Sequence, residues 1–175
     1  MTATPSRAGP ATDPPEDPAA ASERRRRSVA VSGSASGIGL AVRTRLERSG
    51  LRVAGVDLHD AEVEADLASP EGRGHAVAAV TQWSGGALDG VVACAGLGPH
   101  VRPVEAIARV NHFGALAFLD GLLPLLARGE AAAAVAISSN ASTLTPAHPG
   151  LVDALLAGEE EPACRLAGSL DGATV

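Results

Sequence analysis

Residues 28–39 read SVAVSGSASGIG, and the prediction of the fold starts from this segment. It opens with a short apolar run rich in valine, continues through glycines at 33, 37 and 39, and leads directly into a helical pattern. A strand that passes through a tight glycine turn into a helix presents backbone N–H groups and the positive end of a helix dipole to an anion. The stretch therefore predicts a site for the pyrophosphate of a dinucleotide.

Asp57 supports this interpretation. The spacing G-x-x-x-G-x-G differs from G-x-G-x-x-G, and a lone glycine cluster is a weak signal. A second apolar run, Val53 to Val56, ends at Asp57, at about the 20-residue interval where a carboxylate accepts the ribose hydroxyls of the adenosine. This carboxylate would repel a 2′-phosphate, and the turn supplies no Arg to neutralise one. The predicted cofactor is therefore NAD.

Composition limits the remaining possibilities. A chain of 175 residues is one domain by default. A net charge of −6 argues against a nucleic-acid partner. The two cysteines, Cys94 and Cys164, suit a reducing compartment, and no apolar run approaches the ~20 residues of a membrane span. We expect a cytoplasmic protein with no membrane contact and, because the histidines show no ligand spacing, no metal site.

The N-terminal segment has a different composition. Residues 1–23 are rich in Pro, Ala, Ser and acids without a periodic apolar face, which predicts disorder. The arginines at 24–27 are interpreted as a solvated linker end rather than a targeting patch. The predicted organisation is a disordered tail over 1–27 and a partial NAD-binding domain over 28–175.

Strands and helices alternate along that domain. Strands are predicted after residue 28 and over 52–58, 62–67, 88–94 and 132–139. Helices are predicted from the turn to Gly50, from Ser69 to about residue 83, and over 104–127 and 151–157. The GEEE run at 158–161 is interpreted as a solvated turn. This alternation predicts an α/β, doubly wound parallel sheet of the Rossmann-like type, incomplete at its C-terminal side.

Several short segments now fall in a recognisable order: SGSASGIG at 32–39, Asp57, Asp66-Leu67, ACAG at 93–96, RVNHFG around Asn111, and ISSNAS at 137–142. Together they resemble the short-chain dehydrogenase/reductase (SDR) family. GVDLHDAEVEADLASPEGR and LDGVVACAGLGP are similar, more specifically, to the bacterial 3α-hydroxysteroid dehydrogenase/carbonyl reductases. The resemblance covers residues 28 to about 165.

The resemblance implies roles for individual residues. The pyrophosphate would be cradled by Gly33, Ser34, Ser36, Gly37, Ile38 and Gly39. Asp57 would hold the ribose, Asp66 and Leu67 would contact adenine, and Ala95 and Gly96 would line the cofactor. Two residues would be catalytic: Asn111, whose backbone carbonyl would hold a relay water, and Ser139, which would hydrogen-bond the substrate carbonyl.

The catalytic Tyr-x-x-x-Lys motif of the family is missing. The chain has no Tyr, and all 14 of its basic Lys+Arg residues are Arg. In the family that lysine lowers the tyrosine pKa from its usual ~10 so that the phenol can exchange a proton with the alcohol oxygen. One hypothesis is therefore the N-terminal fragment of an NAD-dependent oxidoreductase that interconverts a secondary alcohol and a ketone or aldehyde, itself inactive and poorly soluble. The alternative is a catalytically inactive nucleotide-binding or regulatory module.

The resemblance also implies the partners. These are a small-molecule alcohol or carbonyl substrate and, in intact relatives, further copies of the chain in a homo-dimer or homo-tetramer.

Overall fold

The computed structural model describes residues 26–140 and 148–170. Within these ranges five parallel strands form one sheet in the order β3-β2-β1-β4-β5. The strands are β1 (Ser28–Ser32), β2 (Arg52–Asp57), β3 (Val63–Glu64), β4 (Gly90–Ala93) and β5 (Ala133–Ala136). The helices are α1 (Gly37–Arg48), α2 (Pro70–Ser84), α3 (Glu105–Ala108), a π-helix (Arg109–Gly114), α4 (Ala115–Leu126), α5 (Pro149–Leu156) and α6 (Glu160–Ser169).

Successive residues of a strand point to opposite faces of the sheet, and helices pack on both faces. On one face Val29 and Val31 of β1 cluster with Val42 of α1. On the other face Ala30 belongs to a larger core that includes Phe118 of α4 and residues of α2. The predicted doubly wound parallel sheet is therefore confirmed. The predicted disordered tail lies almost wholly outside the described residues and stays a prediction.

Local signals place the boundaries of α1 and α2. Gly50 follows the end of α1 with φ +84°, as expected for the glycine after a helix. Ser69 caps α2, and its Oγ accepts a hydrogen bond from the backbone N–H of Gly72 at 3.0 Å. Pro70 occupies the first turn, and Gly85, in the left-handed region, ends the helix. The two helices therefore agree with the predicted ones, which run to Gly50 and from Ser69 to about residue 83.

The predicted helix over 104–127 contains an irregularity. Its backbone is helical from Glu105 to Leu126, but Arg109–Gly114 follows a π-helical pattern. Asn111 lies inside that turn. A π-helical turn widens the helix by one residue and occurs frequently at functional positions.

The interpretation of the GEEE run as a solvated turn was wrong. Only Gly158 and Glu159 precede α6, and Glu160 and Glu161 lie in its first turn. Both carboxylates accept hydrogen bonds from arginines of other elements, Glu160 from Arg73 and Arg109, and Glu161 from Arg109. Acids near a helix N-terminus complement the helix dipole, which explains why a charged run begins a helix here.

Strand β5 forms the edge of the sheet. It pairs with β4, from Gly90↔Ala133 to Ala93↔Ala136, and all four of its residues are exposed. Val135 and the following Ile137 are 49% and 46% exposed. Among the described residues β5 is therefore an open parallel edge strand.

No helix in the described ranges is both long enough and apolar enough to span a membrane. Within the same residues, no three His, Cys, Asp or Glu side chains group in a way that could hold a metal ion.

Candidate functional site

The glycine turn lies at the carboxyl end of β1 and touches both neighbouring strands. Gly33 donates its backbone N–H to the carbonyl of Val56 at 2.8 Å, which joins the turn to β2. It has φ +69°, and a Cβ at this position would stand 2.7 Å from the backbone N and Cα of Ala95, which follows β4. Only glycine tolerates both the left-handed conformation and this close approach.

Gly37 and Gly39 lie in the first turn of α1, next to the glycine turn. A Cβ on Gly39 would overlap the carbonyl oxygen of Gly33, so this helix packs directly on the turn. Gly37 has φ +52°, and a Cβ there would meet none of the described residues within 4 Å. Ser36 is the N-cap residue, and in the described structure its side chain makes no capping bond. Among the described residues no side chain therefore caps the first turn of α1, and uncapped N–H groups at a helix N-terminus suit a phosphate.

The Asp57 carboxylate lies beside the glycine turn. Its Oδ2 accepts a hydrogen bond from the backbone N–H of Ala35 at 2.9 Å, and its Oδ1 accepts one from Leu58 at 2.8 Å. Each carboxylate oxygen retains a further lone pair. The spacing argument therefore brought the acid and the turn together correctly, and two exposed apolar side chains, Ile38 and Leu58, flank them.

Asp66 and Leu67 stand next to α2 and the π-helix. Asp66 is exposed, and its Oδ1 accepts a hydrogen bond from the N–H of Ala68 at 2.8 Å. Leu67 is buried, and its carbonyl accepts a hydrogen bond from the Nε of Arg73 at 2.8 Å. A Cβ on Gly114 of the π-helix would stand 3.0 Å from the same carbonyl. The Leu67 backbone is therefore held by α2 and the π-helix.

Asn111 holds the loop that follows β4. Its Oδ1 accepts the backbone N–H of Leu97 at 2.7 Å, and its Nδ2 donates to the carbonyl of Leu97 at 3.0 Å. Gly96 lies next to this contact, since a Cβ on Gly96 would stand 3.5 Å from the Asn111 Oδ1. The side chain of Asn111 is thus occupied by the backbone beside Ala95 and Gly96.

Ser32 at the end of β1 contacts the backbone that follows β4. Its Oγ accepts hydrogen bonds from the backbone N–H groups of Cys94 and Ala95, both at 3.2 Å. Burial raises the pKa of the Cys94 thiol, which disfavours the thiolate and hence a nucleophilic role. Ser139 lies beyond β5 and is exposed. Because the strands are parallel, the carboxyl ends of β1, β2, β4 and β5 lie at the same end of the sheet. In open α/β sheets, ligands bind at this end.

The sequence analysis predicted no specific contacts for four charged residues: Arg43, Glu62, Arg73 and Glu160. Arg43 and Glu62 form an ion pair under the glycine turn. Arg73 is 8% exposed and donates two hydrogen bonds to Glu160 of α6, at 2.7 and 2.8 Å. These hydrogen bonds are the main reason that the Glu160 pKa is lowered. In each pair the partners lie far apart in sequence, so no local pattern identifies them.

The sheet order and the glycine turn define a Rossmann-like α/β protein. The chain matches the sequence profile of the short chain dehydrogenases over residues 27–150, and it belongs to this family of oxidoreductases. The resemblance inferred from the motifs is confirmed.

Two hydroxysteroid dehydrogenases are similar to the chain. It is 46% identical over 136 residues to the 3-alpha-hydroxysteroid dehydrogenase/carbonyl reductase of Comamonas testosteroni, with 77% of this chain and 53% of that protein covered. The crystal structure of the 3-alpha-hydroxysteroid dehydrogenase from Pseudomonas sp. B-0831, complexed with NADH, matches with TM-score 0.78 and 47% identity, over 80% of this chain and 56% of that one. The chain spans about half the length of these two relatives.

A short-chain dehydrogenase/reductase from Brucella ovis, solved with a partially ordered NAD, matches with TM-score 0.60. Its identity is 21%, over 81% of this chain and 74% of the other, and this likeness shows the fold alone.

Proposed function

We propose that the chain binds NAD and is the cofactor-binding part of an oxidoreductase that interconverts a secondary alcohol and a ketone or aldehyde, on a hydroxysteroid or similar carbonyl substrate. One observation carries the proposal. The Asp57 carboxylate accepts the N–H of Ala35 at the glycine turn, beside the open N-terminus of α1. The helix N-terminus can bind the pyrophosphate of a dinucleotide, and the carboxylate beside it can bind the ribose hydroxyls.

The charge of Asp57 favours NAD over NADP. A 2′-phosphate would stand against this carboxylate, and residues 33–39 contain no Arg or Lys to neutralise it. The Pseudomonas relative was solved with NADH, which supports the same choice. We assign Gly33, Ser34, Ser36, Gly37, Ile38 and Gly39 to the pyrophosphate side and Asp57 to the ribose.

The other residues complete the site in this proposal. Asp66 and Leu67 border the adenine, and Ala95 and Gly96 line the nicotinamide half. The side chain of Asn111 is engaged by Leu97, which leaves its role to the backbone carbonyl in the π-helix. Ser139 orients the substrate oxygen. When bound, NAD would supply the nicotinamide ring that accepts the hydride from the alcohol carbon.

The 175 residues do not supply the proton-transfer groups. They contain neither Tyr nor Lys, so no phenol with a lowered pKa can accept the alcohol proton. We therefore propose that they bind the cofactor without turnover. The same absence supports the second candidate, a catalytically silent nucleotide-binding module. A Tyr-x-x-x-Lys encoded downstream of codon 175 in any frame would favour the oxidoreductase, and unrelated sequence there would favour the silent module.

Calorimetric titration tests the proposal. NADH should bind the wild-type chain more tightly than NADPH, and Asp57→Asn should weaken NADH binding about ten- to hundredfold because a charged acceptor is lost. Asp60→Asn is the matched control: it removes the same charge from an exposed position at φ +57°, a conformation that Asn tolerates. It should leave the affinity within about twofold. Equal effects of the two variants, or oxidation of a secondary alcohol by the chain at the rate of intact enzymes, would contradict the proposal.

A further inference from the structure

A charged cluster lies under the glycine turn, on the α1 side of the sheet. We call Ser34, Arg43, Gly55 and Glu62 the Arg43 cluster. The Ser34 Oγ, an Arg43 Nη1 and a Glu62 oxygen all lie within 3.0 Å of the point where a Cβ on Gly55 would stand. Glycine at this position of β2 therefore makes room for three polar side chains from a turn, a helix and a loop.

The pairing inside the cluster neutralises the guanidinium. Glu62 accepts hydrogen bonds from the Nη2 of Arg43 and from the backbone N–H of Gly55, the latter at 2.9 Å. Arg43 also donates its Nε to Glu47 on the next turn of α1 at 3.0 Å. The Arg43 side chain is 20% exposed, so little water screens its charge. Among the described residues the buried Ser34 hydroxyl has no hydrogen-bond partner, so it does not contribute to this neutralisation.

The cluster lies close to the ribose end of the candidate site. Gly55 and Asp57 are two residues apart on β2, so they point to the same face at a separation of about 7 Å. That distance is below the ~8 Å screening length at physiological ionic strength. Without Glu62 the guanidinium would keep only Glu47, which is 44% exposed, as a partner. It would then act on the region of Asp57 and favour a further phosphate.

We propose that Glu62 is a second determinant of cofactor specificity, which acts by neutralising Arg43 beneath Asp57. Asp57 repels a 2′-phosphate directly, and Glu62 prevents the partly exposed Arg43 guanidinium from compensating for that repulsion. The inference rests on the proposed binding of NAD. It adds that discrimination between NAD and NADP depends on an ion pair outside the glycine turn.

A purely structural role of the pair makes a different prediction. If Glu62 only fastened the 58–62 loop to β2 through the Gly55 N–H, its loss would weaken both cofactors by the same factor. The ratio of the NADPH and NADH dissociation constants therefore separates the two roles.

Equilibrium titration of the full chain with NADH and with NADPH measures this ratio. Glu62→Gln, which keeps a hydrogen-bond acceptor, should lower the ratio about three- to tenfold. Arg43→Met should not lower it, because no cation is released, and the double variant should return to at least the wild-type ratio. Glu64→Gln is the matched control, since Glu64 ends β3 and accepts the N–H of Asp60 at 3.1 Å. It should leave the ratio unchanged.

The outcomes distinguish this inference from the function on which it rests. A Glu62→Gln ratio equal to that of wild type, or a double variant that keeps the lowered ratio, overturns the specificity role while NADH binding stands. If a circular-dichroism melt shows that Glu62→Gln does not fold, Arg43→Met alone tests the specificity role. A lowered ratio in Arg43→Met overturns that role. A wild-type chain that binds neither cofactor overturns the proposed function and this inference together.

Discussion

Gly33 is the residue at which the turn tolerates the least change. A side chain there meets a positive φ and the backbone of Ala95 2.7 Å away. We expect Gly33→Ala to lower the free energy of unfolding by about 3 kcal/mol in a urea titration, through strain and displacement of the loop after β4.

Gly37 provides the control for that prediction. Its φ of +52° is also unfavourable for alanine, but a Cβ would point away from the described residues. Gly37→Ala should therefore cost only about 1 kcal/mol. Equal losses for the two variants would show that the contact with Ala95 does not matter.

Single residues were predictable where their spacing had a physical reason. Asp57 was found because a carboxylate at the end of the second strand faces the turn after the first strand, and the structure places it against Ala35. Glu62 was not found, because its partner Arg43 is on another element. Asp89 was missed for the same reason: it is buried directly before β4 and accepts the backbone N–H groups of Ser28 and Glu130.

At the scale of elements, Glu160 fastens α6 to the rest of the fold. Its carboxylate receives two hydrogen bonds from the buried Arg73 and one from Arg109 of the π-helix. We expect Glu160→Gln to lower the free energy of unfolding by about 2 kcal/mol at pH 7, since it leaves the Arg73 charge uncompensated. Glu161→Gln should cost less than about 1 kcal/mol, because Glu161 is 64% exposed.

The pH dependence of that difference has a definite sign. The hydrogen bonds from Arg73 lower the pKa of Glu160 in the folded state. Its stabilisation is therefore complete above the unfolded glutamate pKa of ~4.3 and is lost as the pH falls through the lower folded value. Urea titrations should show a constant difference between wild type and Glu160→Gln from pH 7 to pH 5, and a shrinking one below about pH 4. A difference that grows as the pH falls would contradict this assignment.

Strand β5 is the element that we expect to limit solubility. Its open edge carries Val135 at 49% exposure and can pair with a strand of another molecule. Val135→Lys should reduce concentration-dependent light scattering and leave NADH affinity unchanged, because a charged edge resists pairing. Leu156→Lys on α5 removes an apolar side chain that is 80% exposed but not on the sheet. An equal benefit from Leu156→Lys would implicate general hydrophobicity instead.

Elements were predictable where pattern and caps agreed. The helix predicted from Ser69 to about residue 83 is observed as α2, Pro70–Ser84, with Ser69 as its cap. The segment α6 was missed because its first turn reads as a charged loop, and the arginines that pair with that turn, Arg73 and Arg109, lie on other elements. The π-helical turn at Arg109–Gly114 was not predicted, because π-helical turns are rare and the sequence indicated one helix over 104–127.

At the scale of the whole molecule, the alternation of strands and helices was sufficient to predict the parallel sheet. Right-handed crossovers leave few topologies, and the order β3-β2-β1-β4-β5 is among them. The packing of α5 and α6 onto the π-helix was not predicted. It depends on Phe113 of the π-helix meeting Ala154 and Ala163, which lie 41 and 50 positions further along the chain, in a separate small core.

The most direct test of the central claim is an NMR titration of the amide resonances with NADH. We predict that the largest shifts fall on Ala35, Ser36, Gly37 and Ile38, with smaller ones at Leu58 and Gly96, and that Asp57→Asn weakens the response. Unchanged amide resonances in a folded sample, or shifts confined to the opposite end of the sheet, would contradict the assignment of the glycine turn and Asp57 as the dinucleotide site.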